Sequence, residues 1–162
     1  MTDLPSRVHL LLRASGSTVA TAESLTGGRL AALLTDTPGA SETYRGGVVT
    51  YATELKTSLL DVDEAIVAEH GVVSAECAKA MASGVRALTG TTYGVSTTGV
   101  AGPSEQEGKP PGTVFVGVAG PGLVEAIALE LRGTRQEIQE ATVREALSAL
   151  EDVLRREETP LG

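Results

Sequence analysis

Strands and helices alternate along most of this chain, and that alternation is what most restricts its fold. Short β-branched runs alternate with segments in which apolar residues recur at helical spacing. The exception is a pair of strands that follow one another directly across Gly120-Pro121-Gly122, which predicts a hairpin. The pattern predicts an α/β fold, a single layered domain with a mixed sheet flanked by helices.

The same patterns predict where each element lies. We expect helices over residues 4–14, 25–34, 54–60 and 64–69, a further helix capped by Ser74, and a last helix that begins at Thr134. We expect strands over residues 18–21, 47–51, 93–97, 113–119 and 123–131, with a long polar loop over 99–112. Residues 1–162 then form one domain, and residues 159–162 form a flexible tail.

Composition restricts the function classes. The chain has 162 residues and a net charge of −8, which argues against non-specific nucleic-acid binding but not against a small phosphorylated ligand. The single cysteine, Cys77, excludes an intrachain disulfide, so we expect a reducing cytoplasmic compartment. The N-terminus lacks the features of a signal peptide, and no apolar run is long enough to span a membrane. We therefore expect no membrane association.

A serine followed by two glycines marks the first transition from strand to helix. Ser24 precedes Thr26, Gly27 and Gly28 at that point. The N–H groups at a helix N-terminus favour anions and oxyanions, and glycines allow a ligand to approach the backbone. The same pattern also fits a Ser24 that only caps the helix, with glycines that serve packing.

Two further segments place reactive or binding groups at strand ends. Lys56 follows the strand that ends at Tyr51, and it could act as a general base if burial lowered its pKa. It could equally be a solvated surface lysine. Thr98 and Gly99 lie where the third strand ends, the position at which open α/β sheets bind ligands, although an ordinary glycine-rich turn would look the same.

The start of the last helix offers a basic group. Thr134 and Glu137 have the spacing of a capping box, which makes Arg135 the first helical residue and a candidate phosphate ligand, or simply an exposed arginine. The two histidines are isolated, so a Ser-His-Asp triad is disfavoured and we expect His9 on a helix surface. Cys77 fits a packing residue in an alanine-rich helix. No metal-binding motif occurs in the sequence.

Taken together, these segments resemble the CinA C-terminal domain family, over roughly residues 10–154. The matching segments are TAESLTGG (21–28), GVVTY (47–51) with Lys56, HGVVS (70–74), TGVAGP (98–103), KPPGTV (109–114) and GTR (133–135). The resemblance implies a stand-alone nicotinamide-nucleotide amidohydrolase that converts nicotinamide mononucleotide and water to nicotinic acid mononucleotide and ammonia. It also implies a homo-oligomer that uses neither a metal nor a cofactor.

The resemblance implies functional roles for Ser24, Tyr51, Lys56, Thr98 and Arg135. Our hypothesis makes Ser24 the nucleophile and Lys56 its base, with Tyr51 as a relay. Thr98 and Gly99 would hold the ribose or the phosphate, and Arg135 would pair with the phosphate. In the alternative scheme, Lys56 activates water directly.

Backbone N–H groups of Thr26, Gly27 and Gly28 would stabilise the oxyanion and bind substrate. The role of Glu23 stays open between orienting Lys56 and pairing with an arginine, and residues 104–108 receive no role. Two other functions compete with this hypothesis. One is a non-catalytic module that binds a nucleotide or a partner, in connection with competence and DNA damage. The other is an amidase for a different small amide.

Overall fold

A computed structural model describes residues 2–158. Its helices and strands, in chain order, are α1 (Leu4–Ala14), β1 (Val19–Glu23), α2 (Arg29–Thr35), β2 (Tyr44–Val49), α3 (Thr53–Leu60), α4 (Glu64–His70), α5 (Ala75–Thr89), β3 (Tyr93–Gly99), β4 (Thr113–Gly120), β5 (Leu123–Glu130) and α6 (Arg135–Glu158). A short 3-10 turn, Ala40–Glu42, precedes β2. The predicted tail over residues 159–162 lies outside the described residues.

The strands form one sheet in the order β2-β1-β3-β4-β5. β1 pairs in parallel with both β2 and β3, whereas β4 and β5 add an antiparallel hairpin to the other edge of β3. The predicted mixed sheet is therefore confirmed. The carboxyl ends of β1, β2 and β3 lie at the same edge of the sheet. The chain continues from β1 to β2 on one side, and then crosses to β3 on the other side of β1. Such a reversal in strand order opens a crevice.

Helices cover both faces of the sheet. One apolar cluster joins the sheet to α1, α2 and α6, and a second joins it to α5 and the short helices α3 and α4. Glycines let α5 approach the strands closely. A Cβ at Gly94 would lie 2.2 Å from the Ala82 carbonyl oxygen, and one at Gly117 would lie 2.3 Å from that of Ala78. The chain has only 2% aromatic residues, so large side chains do not fill the space between α5 and the sheet. Small residues instead let the helix and the strands pack closely.

Three predictions about local structure are wrong. The second strand spans Tyr44–Val49 instead of residues 47–51, so Tyr51 lies in the short connection to α3, which begins at Thr53. The second helix begins at Arg29 and not at residue 25, because Ser24 to Gly28 form a turn and Gly28, with φ of +102°, occupies the N-cap. Ser24 is therefore not a helix cap. His9 is 2% exposed instead of lying on a helix surface, since its ring nitrogens contact the Thr43 hydroxyl at 2.5 Å and the Leu34 carbonyl at 2.8 Å.

Other local predictions are confirmed. The Ser74 hydroxyl accepts from the Cys77 N–H at the start of α5. Thr134 and Glu137 form the reciprocal hydrogen bonds of a capping box, at 2.9 and 3.2 Å, which fixes Arg135 in the first turn of α6. Across residues 2–158, no helix is both long and apolar enough to cross a membrane.

Candidate active site

A cavity of about 350 Å³ opens at the carboxyl edge of the parallel strands. Its volume falls in the range typical of small-molecule sites. Six of the predicted site residues line it, namely Ser24, Tyr51, Lys56, Thr98, Gly99 and Arg135. The fold therefore brings together side chains that come from four separate segments of the sequence.

The floor of the cavity holds a serine and a lysine in contact. Ser24 follows β1, and its N–H donates to the Thr97 carbonyl at 3.1 Å, which fixes the start of the turn against β3. Lys56 lies on α3, and its Nζ is 3.1 Å from the Ser24 Oγ. The amine also donates to the carbonyls of Thr50 at 2.6 Å and Tyr51 at 3.4 Å. Lys56 is 1% exposed, so it is not a surface lysine.

The surroundings of Lys56 shift its protonation equilibrium. Burial lowers the pKa of this amine, whereas the nearby Cys77, Glu107 and Glu54 act in the opposite direction, and among the described residues no carboxylate forms an ion pair with it. A neutral amine has two N–H groups for the two carbonyls and one lone pair for the Ser24 hydroxyl. The geometry thus suits Lys56 as the acceptor of the serine proton. Burial also raises the pKa of the nearby Cys77 thiol to about 11, in keeping with a packing residue.

Glu23 supports the turn that carries Ser24. Its carboxylate is 1% exposed and accepts from the Thr26 hydroxyl at 2.6 Å. It also accepts from the N–H groups of Gly28, Leu30 and Ala31, at 3.2, 2.8 and 3.0 Å. A carboxylate is stabilised at a helix N-terminus by these donors and by the helix dipole. Glu23 therefore neither orients Lys56 nor pairs with an arginine, and sequence reasoning missed this role.

The predicted donors at Thr26, Gly27 and Gly28 need correction. The Gly27 N–H donates to the Ser24 carbonyl and the Gly28 N–H to Glu23, so neither is available to a ligand. None of the three residues lines the cavity. Leu25 does line it, and within residues 2–158 the N–H groups of Leu25 and Thr26 have no acceptor. Thr26 is fully buried and does not line the cavity, so the free donor at the cavity belongs to Leu25, which was not predicted.

Tyr51 and Arg135 form a separate pair at the cavity mouth. The Arg135 Nη2 donates to the Tyr51 Oη at 2.9 Å, and its Nη1 donates to the Gly102 carbonyl. Tyr51 is 60% exposed, and only its main-chain carbonyl contacts Lys56. The predicted relay through the Tyr51 hydroxyl is therefore wrong, because that hydroxyl meets the guanidinium instead.

Thr98 and Gly99 line the cavity, but the threonine hydroxyl is already engaged. It is 1% exposed and donates its proton to the Val72 carbonyl at 2.7 Å. The bond ties the end of β3 to the connection between α4 and α5. The Thr98 hydroxyl can still accept a hydrogen bond from a ligand, but it has no second proton to donate.

The structure adds a cavity loop, defined here as residues 103–106, which sequence reasoning left without a role. All four residues line the cavity. Glu107, which follows them, accepts from the N–H groups of Val72 and Val73 at 3.0 and 2.9 Å. Lys109 Nζ donates to the Val73 carbonyl. These contacts join segments more than thirty positions apart, so no local pattern could have revealed them.

The sequence pattern of the CinA C-terminal domain matches residues 1–154. The chain belongs to the CinA family. It is 51% identical over 146 residues to a CinA-like protein of Frankia casuarinae, a match that covers 90% of this chain and 33% of that protein. It is 42% identical over 156 residues to a putative competence-damage inducible protein of Halalkalibacterium halodurans, covering 96% and 37%. The chain thus spans about a third of the length of these relatives.

Solved structures of the CinA superfamily share the whole fold. A crystal structure of a CinA superfamily protein from Klebsiella pneumoniae matches with a TM-score of 0.92 at 35% identity, covering 94% of this chain and 96% of that one. The competence/damage inducible protein CihA from Agrobacterium tumefaciens matches with a TM-score of 0.83 at 33% identity, covering 96% and 99%. The resemblance predicted from six short segments is therefore confirmed.

Proposed function

We propose that this chain hydrolyses the carboxamide of nicotinamide mononucleotide to nicotinic acid mononucleotide and ammonia. The observation that carries the proposal is the 3.1 Å contact between a buried lysine amine and a serine hydroxyl at the floor of the cavity. A serine beside a neutral lysine is an activated nucleophile. Arg135 at the mouth of the same cavity supplies a cation for the nucleotide phosphate.

The first step forms an acyl-enzyme. Ser24 Oγ attacks the carboxamide carbon while Lys56 Nζ takes the hydroxyl proton, which gives a tetrahedral intermediate with a negative oxygen. The N–H group of Leu25 is the donor we assign to that oxygen, since Leu25 directly follows the nucleophile, lines the cavity and has no acceptor for its N–H within the described residues. Loss of one such donor commonly raises a barrier by about 3 kcal/mol.

The intermediate then collapses, and the amide nitrogen leaves as ammonia with the proton that Lys56 held. Water attacks the remaining ester, Lys56 takes one of its protons, and cleavage of the ester bond returns that proton to Ser24 Oγ. Nicotinic acid mononucleotide is released, and its carboxyl proton passes to solvent to leave the carboxylate. We expect no metal and no cofactor in this scheme, because serine and lysine supply the nucleophile and the base. We place the reaction in the cytoplasm, and a homo-oligomeric assembly stays a prediction.

A coupled ammonia assay on the purified chain tests the proposal. We expect ammonia from nicotinamide mononucleotide, and none from nicotinamide or glutamine, which lack both the ribose and the phosphate that the cavity would bind. Ser24→Ala should lower turnover at least about a thousandfold, whereas Ser41→Ala, at an exposed position in the 3-10 turn, should not change it. Full turnover by Ser24→Ala would instead favour the scheme in which Lys56 activates water directly.

A second candidate function is a non-catalytic module that binds a nucleotide or a protein partner. It is favoured by the names of longer relatives, because the chain corresponds to about a third of proteins described as putative competence-damage inducible proteins. The net charge of −8 weighs against direct binding of DNA. Binding of the mononucleotide without release of ammonia would support this candidate over the amidohydrolase.

A further inference from the structure

The cavity loop carries a carboxylate that the scheme above does not use. Glu105 is the one acidic residue among those that line the cavity in the described part of the chain, and Lys56 and Arg135 are the basic ones. The Glu105 carboxylate has no hydrogen-bond or ion-pair partner within residues 2–158. It is therefore free to meet a ligand.

The position of Glu105 is fixed from both sides. Two residues after it, Glu107 binds the main chain at Val72 and Val73. On either side of Glu107, the main chains of Gln106 and Lys109 pair through two hydrogen bonds of 3.0 and 2.9 Å. On the other side, Arg135 holds the carbonyl of Gly102. These contacts hold the main chain on both sides of Glu105, whose side chain is exposed and lines the cavity.

We propose that Glu105 recognises the positive charge of a pyridinium ring, so that the cavity selects carboxamides carried on a cationic ring over neutral ones. This inference rests on the proposed function and names the chemical class of its substrate. Nicotinamide mononucleotide carries a positive ring and a negative phosphate. Arg135 at the mouth opposes the ring charge, and an unpaired carboxylate in the same cavity supplies the attraction that offsets this repulsion.

The reduced, 1,4-dihydropyridine form of the same nucleotide isolates the ring charge. It keeps the carboxamide, the ribose and the phosphate, but its ring is neutral. A cavity that recognises only the shape and the phosphate of the nucleotide would bind both forms with the same affinity. A cavity in which Glu105 faces the ring should bind the cationic form more tightly, by about fivefold for a partly solvated charge pair.

The experiment measures dissociation constants of both forms by calorimetry on the full chain carrying Ser24→Ala, so that no turnover intervenes. Adding Glu105→Gln should weaken binding of the cationic form about fivefold and leave the reduced form unchanged. Glu130→Gln is the matched control, because Glu130 is an exposed carboxylate at the end of β5 and does not line the cavity. Higher ionic strength should reduce the preference in the parent and not in Glu105→Gln.

Every outcome of these measurements either supports or overturns the proposed role of Glu105. Equal loss for both forms, or no loss for either, would overturn the inference, as would a parent that binds neither form. Ammonia release by the wild-type chain is measured in parallel, because it reports on the proposed function separately. A chain that prefers the cationic form but releases no ammonia would retain the role of Glu105 and refute the amidohydrolase. A chain that releases ammonia with no preference would do the reverse.

Discussion

Lys56 Nζ lies 3.1 Å from Ser24 Oγ, and the other polar contacts of the amine are the main-chain carbonyls of Thr50 and Tyr51. The two residues are 32 positions apart and come from different elements, the turn after β1 and helix α3. Burial disfavours the charged amine and lowers the pKa of Lys56, which supports its proposed role as the base for Ser24.

The pH dependence of turnover should follow the proton on Lys56. Only the neutral amine accepts the serine proton, so kcat/KM should rise with pH as Lys56 loses its proton. Since burial lowers the pKa of Lys56 from 10.5, the midpoint of that rise should lie below 10.5. Initial rates of ammonia release across neutral and alkaline pH measure it. A midpoint at or above 10.5 would contradict the assignment of Lys56 as the base.

Replacement of Lys56 by arginine should remove the base while keeping a cation. The guanidinium stays protonated at every pH of interest, so it cannot accept the serine proton. We expect kcat to fall at least about a hundredfold, the range typical for loss of a general base. Lys79→Arg, on α5, is the matched control and should retain activity. Substantial turnover by Lys56→Arg would show that the serine is activated by another group.

Glu23→Gln should destabilise the fold and misplace the nucleophile. An amide in place of the carboxylate presents N–H groups to donors that need an acceptor, and it does so where the side chain is 1% exposed. We expect the free energy of unfolding to fall by about 2 kcal/mol and Tm by roughly 4–8 °C. Thermal unfolding followed by circular dichroism measures both. Glu140→Gln, at an exposed position on α6, should change Tm by less than about 1 °C.

Local patterns predicted the elements and the residue types of the site, but not how the side chains pair. Helical periodicity placed Lys56 on α3 without showing that it is buried. Its burial depends on where α3 lies relative to the turn after β1, where the Lys56 amine contacts Ser24. The sequence pattern did not predict the role of Glu23. Its carboxylate binds N–H groups at the start of α2, and the predicted start of that helix was residue 25 instead of Arg29. The cavity loop was missed because its supports, Val72 and Val73, lie on the other side of α5 in the sequence.

Removal of the Arg135 guanidinium should affect binding of the phosphate and not the chemistry. The group lies at the cavity mouth, away from the Ser24–Lys56 contact, and donates to Tyr51 and Gly102. Arg135→Ala should raise KM for nicotinamide mononucleotide about tenfold or more, with kcat little changed. The phosphate-free riboside should be turned over equally by wild type and variant. Arg144→Ala, an exposed arginine on the same helix, is the control.

Tyr51→Phe separates the two roles considered for this residue. The substitution removes the hydroxyl that accepts from Arg135 but leaves the main-chain carbonyl near Lys56. A proton relay would require kcat to fall by orders of magnitude. The structure instead predicts a modest rise in KM, about two- to fivefold for the loss of one exposed hydrogen bond, and an unchanged pH profile. Steady-state kinetics of the wild type and of Tyr51→Phe, measured across the same pH range, distinguish these outcomes.

Glu107→Ala should loosen the cavity loop while leaving the nucleophile intact. Its carboxylate holds the N–H groups of Val72 and Val73, whereas Ser24 and Lys56 belong to elements that Glu107 does not contact through hydrogen bonds. We expect KM to rise about fivefold, kcat to change little, and limited proteolysis to cut residues 103–109 faster. Glu145→Ala, at an exposed position on α6, should change none of these. If Glu107→Ala lowered kcat as much as Lys56→Arg does, the loop would have to take part in the chemistry and not only in holding the substrate.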